Sequence, residues 1–516
     1  VDAQAAESTR VLQLAHLNAA FETGIDNPLD AAIVAAGKVQ KLDTAGFAKI
    51  DEIPYDFLRK RLTIVVEETG APGHLIITKG AFSSVLDICS GMLVDGAEQP
   101  LDAAARLRLE AFYRAKGSEG FRVLALATRR VPAARPHYGR VDEAGMIFGG
   151  CLLFSDAPEL DAGKAIHHLA RLGVSIKVIS GDNRFVAMHV ARAVGLDPKA
   201  LLTGAEIAAL RDEALWQRAG ETDLFVEVDP QQKERIVRAL QRSGHAVGYI
   251  GDGINDAPAL HVADVGISVD QAVDVARESA DIVLLRPSLD VLRGGVEEGR
   301  RTFANTMKYI CITTSANFGN MMSMALMTPL LPFLPLAAKQ ILLNNFLSDL
   351  PSVAISTDNV DAAAIERVQR WDMREVRRFM IVFGLVSSVF DLLTFALLLE
   401  VFDAGEATFQ TAWFAVSLLT ELAVVLALRT RRPMFQSRAS GLLLWTTLAV
   451  ALLTLGIPYF SPLAEIFDFV PLPWHLFAAM LAVVAAYIAA TEAAKAAFYR
   501  RQAEAATRRA AARRSS

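Results

Sequence analysis

An α/β first part followed by an all-α part of six transmembrane helices is the fold class the sequence predicts, on three observations. Between residues 146 and 300, short apolar runs alternate with helical stretches, as in the βαβ units of a doubly wound parallel sheet. Beyond Arg301, six apolar segments follow at roughly 304–328, 335–356, 377–402, 411–429, 440–459 and 474–494, several of them near the ~20 residues that span a bilayer. The charges between those segments are asymmetric. Arg367, Arg370, Arg374, Arg377 and Arg378 follow the second, Arg429, Arg431, Arg432 and Arg438 follow the fourth, and Arg500, Arg501, Arg508 and Arg509 follow the sixth. The three intervening loops carry no Lys or Arg, so the basic loops, the C-terminus and the soluble part are expected on the cytoplasmic side. Lys339, just inside the second segment, would snorkel outward. The expected divisions are 1–145, 146–300, 301–499 and a basic tail at 500–516.

Composition narrows the function classes. Hydrophobic residues make up 53% of the 516, and they are concentrated in the second part, as a lipid bilayer partner requires. A net charge of −5 argues against a nucleic-acid partner. Cys89, Cys151 and Cys311 are too far apart for a metal motif or a disulfide framework, in keeping with a reducing compartment.

In chain order, Val11–Asn18 has helical periodicity, and a turn through Asn27-Pro28 leads to a second helix carrying Asp30. Phe57 precedes the basic run Arg59-Lys60-Arg61 and a strand at 62–66. A strand at 75–78 ends in Lys79-Gly80-Ala81, and Arg122 interrupts an apolar strand at 120–127. An aromatic ring and cations on separate strands can build an adenine-and-phosphate cleft, with Phe57 stacking on the base and Lys79 and Arg122 neutralising phosphates. An aromatic beside a strand is more often core.

In the next stretch, strands are expected at 149–154, 174–179, 224–228, 246–250 and 265–268, with an edge strand at 282–285. Polar residues cluster at their ends, where open α/β sheets bind ligands. Asp156 follows the first strand and Ser180-Gly181-Asp182-Asn183 the second. Lys233 lies on the helix after the third, and Gly251-Asp252-Gly253-Ile254-Asn255-Asp256 follows the fourth. Ser180 and the turn amides can hold phosphoryl oxygens, and Lys233 can offset developing negative charge. Asp252 can hold Mg²⁺, with Asn255 and Asp256 positioning it.

Polar residues inside the apolar segments are candidates of a different kind. Asn317 and Asn320 share one helix face, and Asn345 and Asp349 share another. Pro351 frees carbonyl oxygens near Asp349, and Glu421 sits midway along the fourth segment. Together they would make an oxygen-rich site for a hard cation. For the asparagines, interhelical hydrogen bonding is the competing reading. Asp391 and Glu400 are open between the two roles.

These motifs, in this order, resemble the P-type cation ATPases. Ser180-Gly181-Asp182-Asn183 is similar to the TGDN motif, Asp229-Pro230-Gln231-Gln232-Lys233 to the P-x-x-K motif, and Gly251–Asp256 to the hinge motif of a phosphorylation domain with the haloacid-dehalogenase fold. Lys79-Gly80-Ala81 resembles the KGA motif of the family's nucleotide-binding domain, Phe57 with Arg59 its adenine-side segment, Arg122 its strand arginine, Asp30 its adenine-side Glu, and Asp156 the Asp of its DPP motif. Glu227 stands where the family has an Arg. Met307-Lys308-Tyr309, Ser315–Asn320, Leu331–Pro335, Val353–Asp361, Trp413-Phe414 and Arg429–Arg432 resemble the bacterial magnesium-transporting class.

The resemblance implies ATP and Mg²⁺ as cofactors, an aspartyl-phosphate intermediate, a bacterial inner-membrane location, and transport of a divalent cation, with Mg²⁺ ahead of Ca²⁺. The family's phosphorylated Asp lies in an Asp-Lys-Thr-Gly-Thr motif that this sequence does not contain. The phosphorylation sheet is therefore expected to lack its middle strand and to expose two backbone edges. A fragment of a longer pump, a split pump completed by another chain, and a nucleotide-binding subunit without chemistry are the readings this leaves open.

Overall fold

The structure is a computed structural model describing residues 1–23, 28–56, 59–132, 135–155, 161–366 and 368–514. It divides into two compact units, the first formed by residues 1–170 and 175–291, the second by 171–174 and 292–516.

In the first unit a seven-stranded sheet runs in the order β1-β2-β3-β6-β7-β4-β5. Its strands are β1 (Phe47–Asp56), β2 (Arg61–Glu68), β3 (His74–Ala81), β4 (Cys89–Val94), β5 (Ala97–Pro100), β6 (Phe121–Val131) and β7 (Met146–Ser155). All neighbours are antiparallel except β4 and β7. Helices α1 (Thr9–Phe21) and α2 (Pro28–Val39) cover one face. Ser8 caps α1 by accepting from the Val11 amide. On the other face Phe82, Leu86, Leu109 and Phe148 form a second core beneath α3 (Ala103–Ser118).

The run at 149–154 was expected to open the parallel sheet. Instead β7 pairs antiparallel with β6 from Phe121↔Ser155 to Thr128↔Ile147. Its apolar run fits either sheet, and only long-range pairing distinguishes them. β1 and β5 carry too many polar residues to have signalled strands: in β5 every residue is exposed.

The remainder of the first unit holds six short parallel strands in two sheets. One runs β8-β10-β9, from β8 (Val178–Ile179), β9 (Leu201–Thr203) and β10 (Leu224–Val226). The other runs β11-β12-β13, from β11 (Gly248–Ile250), β12 (Val265–Val269) and β13 (Ile282–Leu284). β8 pairs with β10 and β11 with β12, and among the described residues neither has a second strand neighbour. The two sheets are nonetheless adjacent, because Ile179 of β8 and Val247, just before β11, each pack against both sheets' cores. A single parallel sheet was expected, with exposed edges at its middle; two half-sheets with facing open edges are what the chain forms. Helices α4 (Arg184–Ala193) and α5 (Pro230–Arg242) follow β8 and β10.

The second unit is helical. Six long helices correspond to the six apolar segments: α6 (Leu289–Met327), α7 (Ala338–Ala354), α8 (Met373–Ala396), α9 (Glu406–Leu428), α10 (Gly441–Gly456) and α11 (Trp474–Arg514). Four of them, α8 to α11 with their flanking turns, are long and apolar enough to cross a membrane. α9 is the central one, with 83% of its apolar stretch buried against 44% or less in the others. Trp413, Phe409, Phe414 and Leu418 of α9 pack against Phe395 of α8 and Met480 of α11.

Candidate functional site

Three groups of predicted residues meet at the ends of the parallel strands. β8 ends in Ser180, whose amide donates to the Phe225 carbonyl at 2.9 Å. The next turn folds back on itself, with the Asp182 amide donating to Ser180 Oγ at 3.0 Å. Asn183 caps α4 by accepting from the Phe185 and Val186 amides. This turn therefore presents Ser180 and Gly181 beside the open edge of β8. Asp182 pairs with Arg122 of β6 at 2.5 Å, which brings a predicted nucleotide-side cation to the phosphorylation-side turn.

β11 delivers the second group. Gly251 is required because a Cβ there would stand 2.4 Å from Asp256 Cβ, so only glycine lets the Asp256 side chain fold against the turn. Asp256 is buried. Its Oδ1 accepts from Lys233 Nζ at 2.8 Å and from the Tyr249 hydroxyl at 2.6 Å, and its Oδ2 from the Gly253 amide at 3.2 Å. Burial alone would raise the Asp256 carboxyl, but Lys233, Tyr249 and the Gly253 amide outweigh it and hold the group below the ordinary aspartate range. Burial and the Asp256 charge push the Tyr249 phenol up. Lys233 reaches Asp256 from the first turn of α5, which begins at Pro230 and is capped by Asp229 with a reciprocal Gln232 contact. Asp252 and Asn255 are exposed at the strand end.

The carboxylates thus divide the work. Asp256 already accepts three hydrogen bonds and organises Lys233, while Asp252 is exposed. Among the described residues no three His, Cys, Asp or Glu side chains converge as a metal site. Asp256 was expected to position an ion held by Asp252; with Asp256 engaged by Lys233, Asp252 is the more open oxygen of the two. Asp252 fits the ion as an open, hard oxygen ligand that needs ligands from elsewhere.

On the seven-stranded sheet, Lys79 is buried and paired with Asp30, with Glu22 at 3.7 Å on the other side. Gly80 is needed for strand approach, since a Cβ there would lie 2.5 Å from Arg61 Cβ. Burial, and next the hydrogen bond and charge of Asp30, push the Glu22 carboxyl up to about 7. The folded state therefore holds the Glu22 proton more tightly than the unfolded chain. Stability falls as pH rises from the ordinary glutamate range to about 7, then levels off. Glu22→Gln is expected to remove that decline, which thermal unfolding of the chain across this range would show; an unaltered pH profile would refute it.

Arg59 is engaged rather than free. Its Nη1 donates to both oxygens of Glu143, at 2.7 and 2.6 Å, and its Nη2 to the Pro54 carbonyl at 2.7 Å. Phe57 and Asp156 lie outside the described residues. Sequence reasoning missed Glu22 and Glu143. Glu227, singled out as the departure from the family's Arg, has φ +59° and pairs with Arg184 at 3.2 Å.

In the second unit the predicted cation ligands separate. Asn320 and Glu421 line one cavity of about 10 Å³ with Ser387, Ser417 and Tyr487, room for roughly one water-sized particle. Asn344, not its neighbour Asn345, donates to Glu421 at 3.4 Å, and its own Oδ1 is buried without a hydrogen-bond partner. Asn317, Asn345 and Asp349 are exposed on this unit. On α7 they stand among the exposed Leu342, Phe346, Leu350 and Val353. The expected single five-residue site is therefore not assembled within this unit. Helical spacing put Asn345 and Asp349 on one face correctly, but could not say that Asn344 is the one turned toward α9.

Comparison with known proteins places this geometry. Residues 7–160 match the family of the P-type ATPase cytoplasmic domain N, residues 98–264 the haloacid dehalogenase-like hydrolases, and residues 333–497 the cation transporting ATPase C-terminus. The chain belongs to the P-type cation ATPases. Within that family it is 42% identical over 501 residues to the "Magnesium-transporting ATPase, P-type 1" of Escherichia coli strain K12, covering 96% of this chain and 56% of that protein. The protein of the same name from Salmonella typhimurium is also 42% identical, over 96% of this chain and 55% of its own length. A "Calcium-transporting ATPase" of Bacillus subtilis is 28% identical over 89% of this chain and 53% of its own. The chain spans about half the length of the curated relatives it matches.

Proposed function

We propose that this polypeptide supplies the nucleotide-binding, phosphorylation-supporting and C-terminal membrane parts of an ATP-driven Mg²⁺ pump of the bacterial inner membrane. The observation that carries this reading is the convergence of Ser180, Asp182, Asp252 and the Lys233–Asp256 pair at strand ends flanking the open edges of β8 and β11. A strand inserted there would bring an Asp between Ser180 and Asp252. It would come from further polypeptide, in the same chain or in a separate one.

ATP is the phosphoryl donor in this reading. Arg122 and Lys79 are the cations of its cleft, and Lys79 must leave Asp30 to reach a phosphate. Bound Mg²⁺ at Asp252 would supply charge neutralisation on the transferring group. Ser180 Oγ and the adjacent amides hold phosphoryl oxygens. Lys233, oriented by Asp256, stabilises the negative charge that grows during transfer.

The basic loops and tail put the soluble parts in the cytoplasm. In the membrane, Asn317, Asn345 and Asp349 form the open half of an ion site that further helices complete, with Asn320, Asn344 and Glu421 behind it. An Asp349→Asn substitution in the intact pump is expected to weaken the apparent Mg²⁺ affinity of ATP hydrolysis by about tenfold, since one anionic ligand of a hard cation is lost. Unchanged Mg²⁺ stimulation and uptake would refute the assignment. Substituting Ca²⁺ for Mg²⁺ in the same assay tests the choice of ion.

A further inference from the structure

Asp391 plays no part in the site described above, yet it is one of the most buried carboxyl groups of the second unit, at 4% exposure. It lies on α8, between α6 and α9. The Trp413 indole of α9 donates to its Oδ1 at 3.1 Å, and Ser323 Oγ of α6 lies 2.7 Å from its Oδ2. No cation pairs with it among the described residues. An ionised carboxylate held only by neutral groups in an apolar helix bundle is strongly disfavoured.

The hydrogen bonds around Ser323 accommodate a protonated Asp391. Ser323 Oγ also lies 2.9 Å from the Gly319 carbonyl, one turn earlier on α6. A hydroxyl has one proton to donate. If it goes to the Gly319 carbonyl, which can only accept, the 2.7 Å contact with Asp391 needs its proton from Asp391. A carboxylic acid at Asp391 satisfies every group. Its O–H donates to Ser323, Ser323 donates to Gly319, and Trp413 donates to the acid's carbonyl oxygen. An ionised Asp391 would rest on two neutral donors, Ser323 and Trp413, with no cation beside it among the described residues.

The chain of bonds crosses a tight helix contact. A Cβ on Gly319 would meet Ser387 Cβ at 2.8 Å, and one on Gly384 would meet Phe318 Cδ1 at 2.5 Å, so α6 and α8 approach through glycine. Ser388 Oγ, three residues before Asp391, also donates to the Gly319 carbonyl at 3.1 Å. One turn before Asp391, Ser387 lines the cavity that holds Asn320 and Glu421. The titratable groups facing this region are Glu421 from α9 and Tyr487 from α11. α6 presents the uncharged Ser315, Asn320 and Ser323, and Asp391 is the single titratable residue of α8 between Arg378 and Glu400.

We propose that Asp391 is a proton-binding site of the membrane helices, loaded in this conformation and emptied when α6 and α8 part. The O–H bond of Asp391 then breaks. The proton passes to water entering at the opened contact, and the carboxylate is left hydrated. Exchange during a transport cycle rests on the pump reading given above; the loaded state does not.

Infrared difference spectroscopy of this chain in lipid nanodiscs tests the site. The difference between wild type and Asp391→Asn should contain the carbonyl stretch of a protonated carboxylic acid at neutral pH, lost on alkaline titration. Asparagine reproduces the acid's donor and acceptor, so this variant should keep the wild-type unfolding midpoint. Ser323→Ala, which removes the acceptor, should shift the band. A difference spectrum between wild type and Asp391→Asn that holds no such band at neutral pH would overturn the proposal. In the intact pump reconstituted with an internal pH dye, Asp391→Asn should retain Mg²⁺ uptake and lose the accompanying proton flux. An unchanged flux would overturn exchange at Asp391. Absence of any ATP-driven Mg²⁺ uptake by the wild-type pump would instead sink the pump reading and leave the infrared titration to decide the site.

Discussion

Glu143→Ala is expected to destabilise the first unit by about 3–5 kcal/mol, because it takes from two largely covered guanidinium groups the buried carboxylate they share. The Glu143 side chain is fully buried and accepts from Arg59, from Arg61 Nε at 2.9 Å and from Thr63 Oγ1 at 2.7 Å. Thr63 is in turn 2.7 Å from Thr78 of β3, so the network joins the β1–β2 turn, two strands and the segment entering β7. Alanine leaves Arg59 and Arg61, each under one-fifth exposed, without a carboxylate between them. A loss of this size lowers the unfolding midpoint of a domain of this length by roughly 6–20 °C. Hydrogen exchange should also rise first in β2 and β3. Thermal unfolding of the purified chain is the measurement, and a midpoint within a degree or two of wild type would show that the network is stabilising nothing. The same geometry bears on Arg59, whose guanidinium holds Glu143 and the Pro54 carbonyl and so braces the β1–β2 turn.

Lys233→Met in the intact pump is expected to slow phosphoenzyme formation by about 10²–10³-fold, the usual consequence of losing one preorganised positive group at a reacting centre. The effect should fall on the rate of phosphorylation rather than on ATP affinity, since Lys233 is held at the strand ends by Asp256 and not in the base cleft. Lys233→Arg should recover little, because a planar fork does not fit the position that one ammonium fills between Asp256 and the open strand end. Equal phosphorylation rates in Lys233→Met and wild type would remove Lys233 from the mechanism.

The variant carries a stability signature as well. Asp256 is held below its unfolded value, so its contribution is fully present above the ordinary aspartate range and is lost as pH falls through the folded value. The gap in stability between wild type and Lys233→Met should therefore close below about pH 4, where the unfolded aspartate also protonates. A gap that persists in acid would mean that Lys233 stabilises by packing and not by its pairing with Asp256.

Much of this was legible in the residues. Turn chemistry is local, so Ser180–Asn183, Asp229–Lys233 and Gly251–Asp256 could be recognised as strand-end turns and helix starts before any contact was known. Hydrophobic periodicity is local too, and it located the six helical segments. Where the sequence reading erred, the decisive term was long-range. β7 has the apolar run of a parallel strand and joins an antiparallel partner, because pairing energy depends on what lies beside a strand and not on its own composition.

What the sequence by itself determined is the order of the parts and the chemistry available to each: oxygen-rich turns after apolar strands, and isolated polar side chains inside apolar helices. Both follow from interactions within a few residues along the chain. Only the tertiary structure decided which of those side chains are spent and which are open. Asp256 is committed to Lys233 while Asp252 is exposed, Arg59 is committed to Glu143, Asn344 rather than Asn345 turns toward Glu421, and Asp391 is buried beside neutral donors. Each of those outcomes depends on partners tens of residues away or on the solvent a folded neighbour excludes, and neither is written in local spacing.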